Sequence, residues 1–183
     1  MPTVYDPPTD DVLDVLRAQL TRYHPDIVEC GAKVGVIMAR NETGPAVKLH
    51  GTAAFAKVRI VSADKKVNNE NDAEIIIDAS EWDQLLPAQR DSLINHECHH
   101  LRRKEHKDKK LAKLRAENPD CPAWVIDHHG RPVLGTVPAD LTPGDVFLAC
   151  VEIHGKNAIE FVGIKRAWQQ CEEAVQGADK AKD

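Results

Sequence analysis

The sequence predicts an α+β fold in which a small mixed or antiparallel sheet packs on an N-terminal helix, a central helix and C-terminal helices. Three observations carry this. Runs rich in β-branched residues recur at Lys33 to Arg40, Ala56 to Ser62 and Glu74 to Asp78, too short for helices and bounded by turn formers. Apolar residues at helical spacing fill Val12 to Leu20, Leu93 to Leu101 and Ile159 to Cys171. With 183 residues and 42% hydrophobic content, the chain is long enough for one real core and short for two. One domain over residues 1–176 with a charged tail at 177–183 is expected.

In order along the chain, Thr9 or Asp10 can cap a helix over Val12, Leu13, Leu16 and Leu20, and Pro25 marks its end near Tyr23 and His24. Val58, Ile60 and Ser62 alternate with Lys57 and Arg59, as in a half-buried strand. Asp64 to Asp72 is polar and reads as a mobile loop. The Ile75 strand is expected to present an edge to an extended peptide. Ser80 with Asp83 resembles an N-terminal cap for a short turn through Trp82 and Leu85. Pro87 suits the first turn of a helix that meets no Gly or Pro before Lys104, with Leu93, Ile94, Cys98 and Leu101 on its buried side.

Beyond it, Arg102 to Arg115 is strongly basic and reads as a solvated extension of that helix or as a surface for phosphates, nucleic acid included. His128 and His129 fall at the Gly130 turn of a β-hairpin. Thr142-Pro143-Gly144-Asp145 is expected to start a helix running from Val146 to His154 and closed by Gly155. A last helix over Ala158 to Val175 would turn Ile159, Val162, Trp168 and Cys171 to the core.

The net charge of −5 and pI near 6.0 argue against a nucleic-acid binder acting through its whole surface. Five widely spaced cysteines without a C-x-x-C pair argue against a disulfide framework and a Cys₄ zinc site. No run approaches transmembrane length and the first residues lack a basic, apolar leader. A soluble protein of a reducing compartment, with no membrane partner, is expected.

His96-Glu97-Cys98-His99-His100 is an H-E-x-x-H match. On a helix, positions 96 and 100 share a face and can both offer an imidazole nitrogen to Zn²⁺, while Glu97 is placed to take the proton of a water on that metal. With 9 His and 12 Glu in the chain, random placement gives roughly 0.03 such matches. Cys98 is expected in the core, and His99 points away from the other two histidines.

A catalytic zinc takes three protein ligands, so one is wanting. His106 has the spacing of the third histidine of metzincins, but Arg103 stands where that motif needs a glycine and no methionine follows. Asp145, Glu152 and His154 on the following helix, and His128 and His129 on the turn, are the other candidates.

Several segments resemble the phage metallopeptidase family, zincin-like proteins distantly similar to SprT-type proteases. They are AKVRIV, EIIID, Trp82 with Leu85, the run Gln89, Arg90, Leu93, Ile94, His96, Glu97 and His100, then Asp127-x-x-Gly130-Arg131-Pro132 and Asp145-x-Phe147 with His154-Gly155. The likeness covers roughly residues 56–160. It implies a zincin-like zinc peptidase acting on protein or peptide in the cytoplasm of a bacterial host. Family members commonly show His-Asp followed by Glu-Glu-Phe at the start of the last helix, where this chain reads Thr-Pro-Gly-Asp-Val-Phe. Matching Phe147 puts Asp145 at a family carboxylate and implies it as the third ligand. A zinc-binding interaction or regulatory protein without proteolysis is the alternative of a different class.

Overall fold

Ile75, Ile76 and Ile77 lie at the centre of a four-stranded mixed sheet in the computed structural model, which describes residues 2–66, 71–140 and 146–180. The elements follow in chain order: β1 (Val4–Asp6), α1 (Asp10–Tyr23), α2 (Pro25–Glu29), β2 (Val34–Arg40), β3 (Lys48–Leu49), β4 (Thr52–Ala53), β5 (Ala56–Ile60), α3 (Ala63–Lys66), β6 (Ala73–Asp78), α4 (Ala79–Gln84) and α5 (Pro87–His99). Then come β7 (Leu101–Arg103), α6 (Asp108–Glu117), β8 (Leu134–Thr136), α7 (Leu148–His154), a 3₁₀ turn at Gly155–Asn157 and α8 (Ile159–Lys180). The fold is α+β, as the sequence predicts. No helix among the described residues is long and apolar enough to cross a membrane.

The sheet order is β1-β2-β6-β5, with β2 and β6 parallel and the outer pairs antiparallel. All of β6 is buried, which explains its unbroken apolar run: both faces are covered. On one face Ile75 and Ile77 join Val36, Met38 and Ala56 against Val12 and Leu16 of α1 and Leu93, Ile94 and Cys98 of α5. On the other, Ile76 packs with Ala39 and Val47. Each fully buried Leu or Ile contributes about 1.5–3 kcal/mol, so the seating of α5 rests on its apolar side.

The expected edge is therefore corrected. The Ile75 strand is central, held between β2 and β5, and among the described strands β5 has β6 as its only ladder partner. Pairing places Arg59 opposite Glu74, where its guanidinium donates to the buried carboxylate at 2.7 Å.

Other expectations shift for nonlocal reasons. The short helix after β6 is capped by Asp78 rather than Ser80: one Asp78 oxygen accepts from the Ser80 N–H at 3.1 Å, and the other from the Ala46 N–H at 2.7 Å. The site helix stops at His99 and does not reach Lys104, because Leu101–Arg103 pairs with β8. Arg103 is then fixed by Glu29 at 2.7 Å and by the Trp124 ring at 5.2 Å, contacts that a continued helix would forgo. Thus the basic segment divides into β7 and a separate exposed α6.

Of the loop expected at Asp64 to Asp72, residues 67–70 lie outside the described residues, and the part before them is not loop. It forms α3, and Lys66 is buried against Asp72 at 3.0 Å and Asp127 at 3.2 Å, with Arg131 also 3.0 Å from Asp72. The hairpin turn at Gly130 (φ +75°) is as expected, held by the Asp127 carboxylate accepting from the His129 and Arg131 N–H groups. Helix α7 begins at Leu148, two residues later than the sequence suggests. On α8, Ile159 is buried and Val162 packs on the core, but Trp168 is 67% exposed. The Cys171 side chain and residues 141–145 and 181–183 lie outside the described residues.

Candidate metal centre

The side of α5 from Ser92 to Cys98 is buried, so His96 and Glu97 are held on a rigid element within the protein. Ser92 and His96 are one helical turn apart on the same face. The Ser92 hydroxyl accepts the Ile159 N–H at 2.9 Å, docking the first turn of α8 against that face. The next residue, Glu160, thereby meets His96, with Oε1 3.0 Å from Nδ1.

A carboxylate only accepts, so the neutral imidazole of His96 carries its proton on Nδ1 and its lone pair on Nε2. His100 is fixed in the same way: Nδ1 donates to the Val137 carbonyl at 2.9 Å. The two rings lie 5.1 Å apart at 78°. Both imidazoles are thus set in the tautomer that ligates through Nε2. Such outer hydrogen bonds commonly orient metal-binding histidines, so the donor set fits a divalent metal ion.

Phe147, itself buried, packs on this group from the start of α7, with its ring 5.1 Å from that of His96 and 4.7 Å from that of His100. It also stacks on His99 at 5.4 Å. His99 is half-buried and its ring meets that of His24 at 4.6 Å. Burial, with the nearby His24 and His96 rings, lowers its pKa to about 4. Cys98 is fully buried in the core, as expected, and burial holds its thiol protonated well above the ordinary range.

Glu97 and His100 line a cleft of about 340 Å³ together with Ala56, Lys57 and Val58 of β5, Thr136 at the end of β8, and Val137 and Pro138 beyond it. The sheet edge and the H-E-x-x-H helix therefore share one opening, which suits an extended chain laid along β5.

Two residues of this region, Cys150 and Glu160, are not among the candidates that the sequence offers. A ring nitrogen of His96, the Cys150 sulfur and a Glu160 oxygen all lie within 4.8 Å of one another, and all three residues are buried. The signal for Glu160 is Glu160-Phe161 in the first turn of the last helix, which matches the end of the Glu-Glu-Phe pattern. Cys150 offered nothing comparable. Its thiol is held protonated, first by burial and next by the charge of Glu160.

The other candidates are dispersed. His106 lies past β7, where its backbone donates to Ala123 at 2.8 Å. His128 and His129 are exposed on their turn, and Glu152 is exposed on α7. His154 pairs with Asn95, whose Nδ2 donates to its Nε2 at 3.0 Å. Asp145 lies outside the described residues.

Comparison with known proteins gives one finding. A family model described as putative phage metallopeptidase matches residues 10–178. No curated protein and no solved structure matches the chain.

Proposed function

The chain belongs to this phage metallopeptidase family, and from that membership we propose that it is a zinc-dependent peptidase with Glu97 as general base. The observation that carries the reading is the pair of fixed tautomers: Nδ1 of His96 is bonded to Glu160 and Nδ1 of His100 to Val137. This orientation turns both Nε2 lone pairs to the metal-ligating role, while Glu97 shares the cleft with His100.

We assign His96 and His100 as two ligands and Asp145 as the third. Asp145 lies outside the described residues, and its assignment rests on the likeness to the family, in which matching Phe147 puts it at a carboxylate position. Glu160 acts as a positioning residue for His96. When bound, zinc supplies Lewis acidity that polarises the scissile carbonyl and makes water a better nucleophile at neutral pH.

The substrate is a protein or peptide in extended form, laid against the unpaired side of β5 with its scissile bond at Glu97 and His100. Glu97 takes the proton of the attacking water and delivers it to the leaving amine, so the same carboxyl serves as base and then as acid. Phe147 keeps the histidine side of the site apolar, which strengthens the electrostatic interactions within it. Residues 1–176 form the one domain of this reading, with 177–183 as a charged tail.

Zinc stoichiometry and cleavage of an unstructured protein substrate test it together. Wild type should hold one zinc, and His96→Ala and His100→Ala should lose it. Glu97→Gln should keep zinc and lose about 10²–10⁴-fold or more in turnover. Wild type without zinc would refute the peptidase reading, and full zinc affinity in Asp145→Ala would remove that ligand.

A further inference from the structure

The buried group at His96, Cys150 and Glu160 has chemistry beyond positioning. Their ligand-bearing atoms lie within 4.8 Å of one another. The His96 nitrogen facing Glu160 is Nδ1, on the opposite side of the ring from Nε2. Cys150 is 0% exposed, packed with Ala139 and Phe147. By itself it would be a small core residue. Glu160 changes this: it is 94% buried, and its second oxygen, Oε2, has no nitrogen or oxygen donor among the described residues, so the Cys150 thiol is the hydrogen-bonding group on that side of the carboxylate. A thiol is only a weak donor to a buried carboxylate, and a cation held between the sulfur and the oxygens relieves the cost that remains.

We propose that Nδ1 of His96, the thiolate of Cys150 and the carboxylate of Glu160 form a second, buried metal site, selective for thiophilic divalent ions such as Cd²⁺ and exclusive with ligation at Nε2 of the same imidazole. The proton balance is simple. The thiol proton leaves to solvent and the sulfur binds the ion. The imidazole proton moves from Nδ1 to Nε2, which frees the Nδ1 lone pair and removes the one at Nε2. Glu160 exchanges the His96 N–H for the ion, and its two oxygens can complete four donors. Soft thiolate selects cadmium, zinc and their kind over magnesium or calcium. Only the exclusivity rests on reading His96 as a ligand of the peptidase centre; the binding site itself does not.

The test is a titration of the metal-free full chain with Cd²⁺, followed by the ultraviolet thiolate-to-cadmium charge-transfer absorption. Wild type should develop the band with one equivalent, and both Cys150→Ser and Cys150→Ala should lack it. Glu160→Gln, which keeps the thiol, should weaken Cd²⁺ binding at least tenfold. His100→Ala should retain the band while losing the zinc of the peptidase centre, which separates failure of this site from failure of that one. No band in wild type, or a band persisting in Cys150→Ser, overturns the proposal. With zinc and cadmium both in excess, wild type should hold one ion in total on these residues; one of each per chain overturns the exclusivity.

Discussion

Val137 meets His100 through both of its backbone polar groups. Its N–H donates to the His100 carbonyl at 2.8 Å, and its own carbonyl accepts from Nδ1 of the imidazole at 2.9 Å. The end of the site helix and the tautomer of His100, which caps it, are thus set by one residue beyond β8. Val137→Pro removes the donor and should lower zinc affinity about 10–100-fold. Val137→Ala keeps both groups and should stay within about twofold of wild type by calorimetric titration; a large loss in the alanine variant would show that the side chain, not the backbone, matters.

Asn95 is fully buried and joins two distant histidines. Nε2 of His24 donates to its Oδ1 at 2.7 Å, and its Nδ2 donates to Nε2 of His154 at 3.0 Å. Asn95→Leu fills the space but leaves the buried His24 nitrogen unsatisfied, at about 1–3 kcal/mol. Urea denaturation should show a lower midpoint with an unchanged slope.

The same network sets an acid limit. Burial is the first cause that holds the pKa of His24 and of His154 below the ordinary 6.5. An imidazole with a lowered folded pKa binds its proton more readily in the unfolded chain, so its contribution to stability is complete above pH 6.5. It is lost as pH falls from 6.5 through the lowered folded values. Unfolding free energy should therefore drop between pH 7 and pH 5, and His24→Gln should flatten part of that slope. Equal stability at both pH values would contradict the assignment.

Lys66 is the buried cation between Asp72 and Asp127. Lys66→Met leaves Asp72 to Arg131 and the Lys33 N–H, and deprives Asp127 of its buried ammonium. Breaking a buried pair by removing one partner costs about 3–5 kcal/mol. Thermal unfolding should fall accordingly. The double variant Lys66→Met with Asp127→Asn should recover part of the loss, which a purely steric effect of the methionine would not allow.

Much of the fold was legible in the residues themselves. Period and β-branching marked β2, β5, β6 and α1 to within a few positions, because each signal lies inside its own segment. Pro87 and the apolar side through Leu93, Ile94 and Cys98 marked the site helix, and H-E-x-x-H supplied two imidazoles and a carboxylate at known spacing. What local pattern could not show was where that helix ends. Arg102, Arg103 and Lys104 suit a helix, but pairing with β8 and the contacts of Arg103 with Glu29 and Trp124 outweigh propensity.

The sequence by itself determined the family, the α+β class and the H-E-x-x-H residues on their helix. Tertiary structure decided that β5, not the Ile75 strand, borders the cleft. It also decided that Glu160, 64 residues away, holds His96, with Cys150 beside both. The physical reason is range: periodicity records which face of an element is apolar, whereas a hydrogen bond between two helices depends on how their faces dock. Here Ser92 fixes that docking by accepting the Ile159 N–H, and no spacing along the chain encodes it.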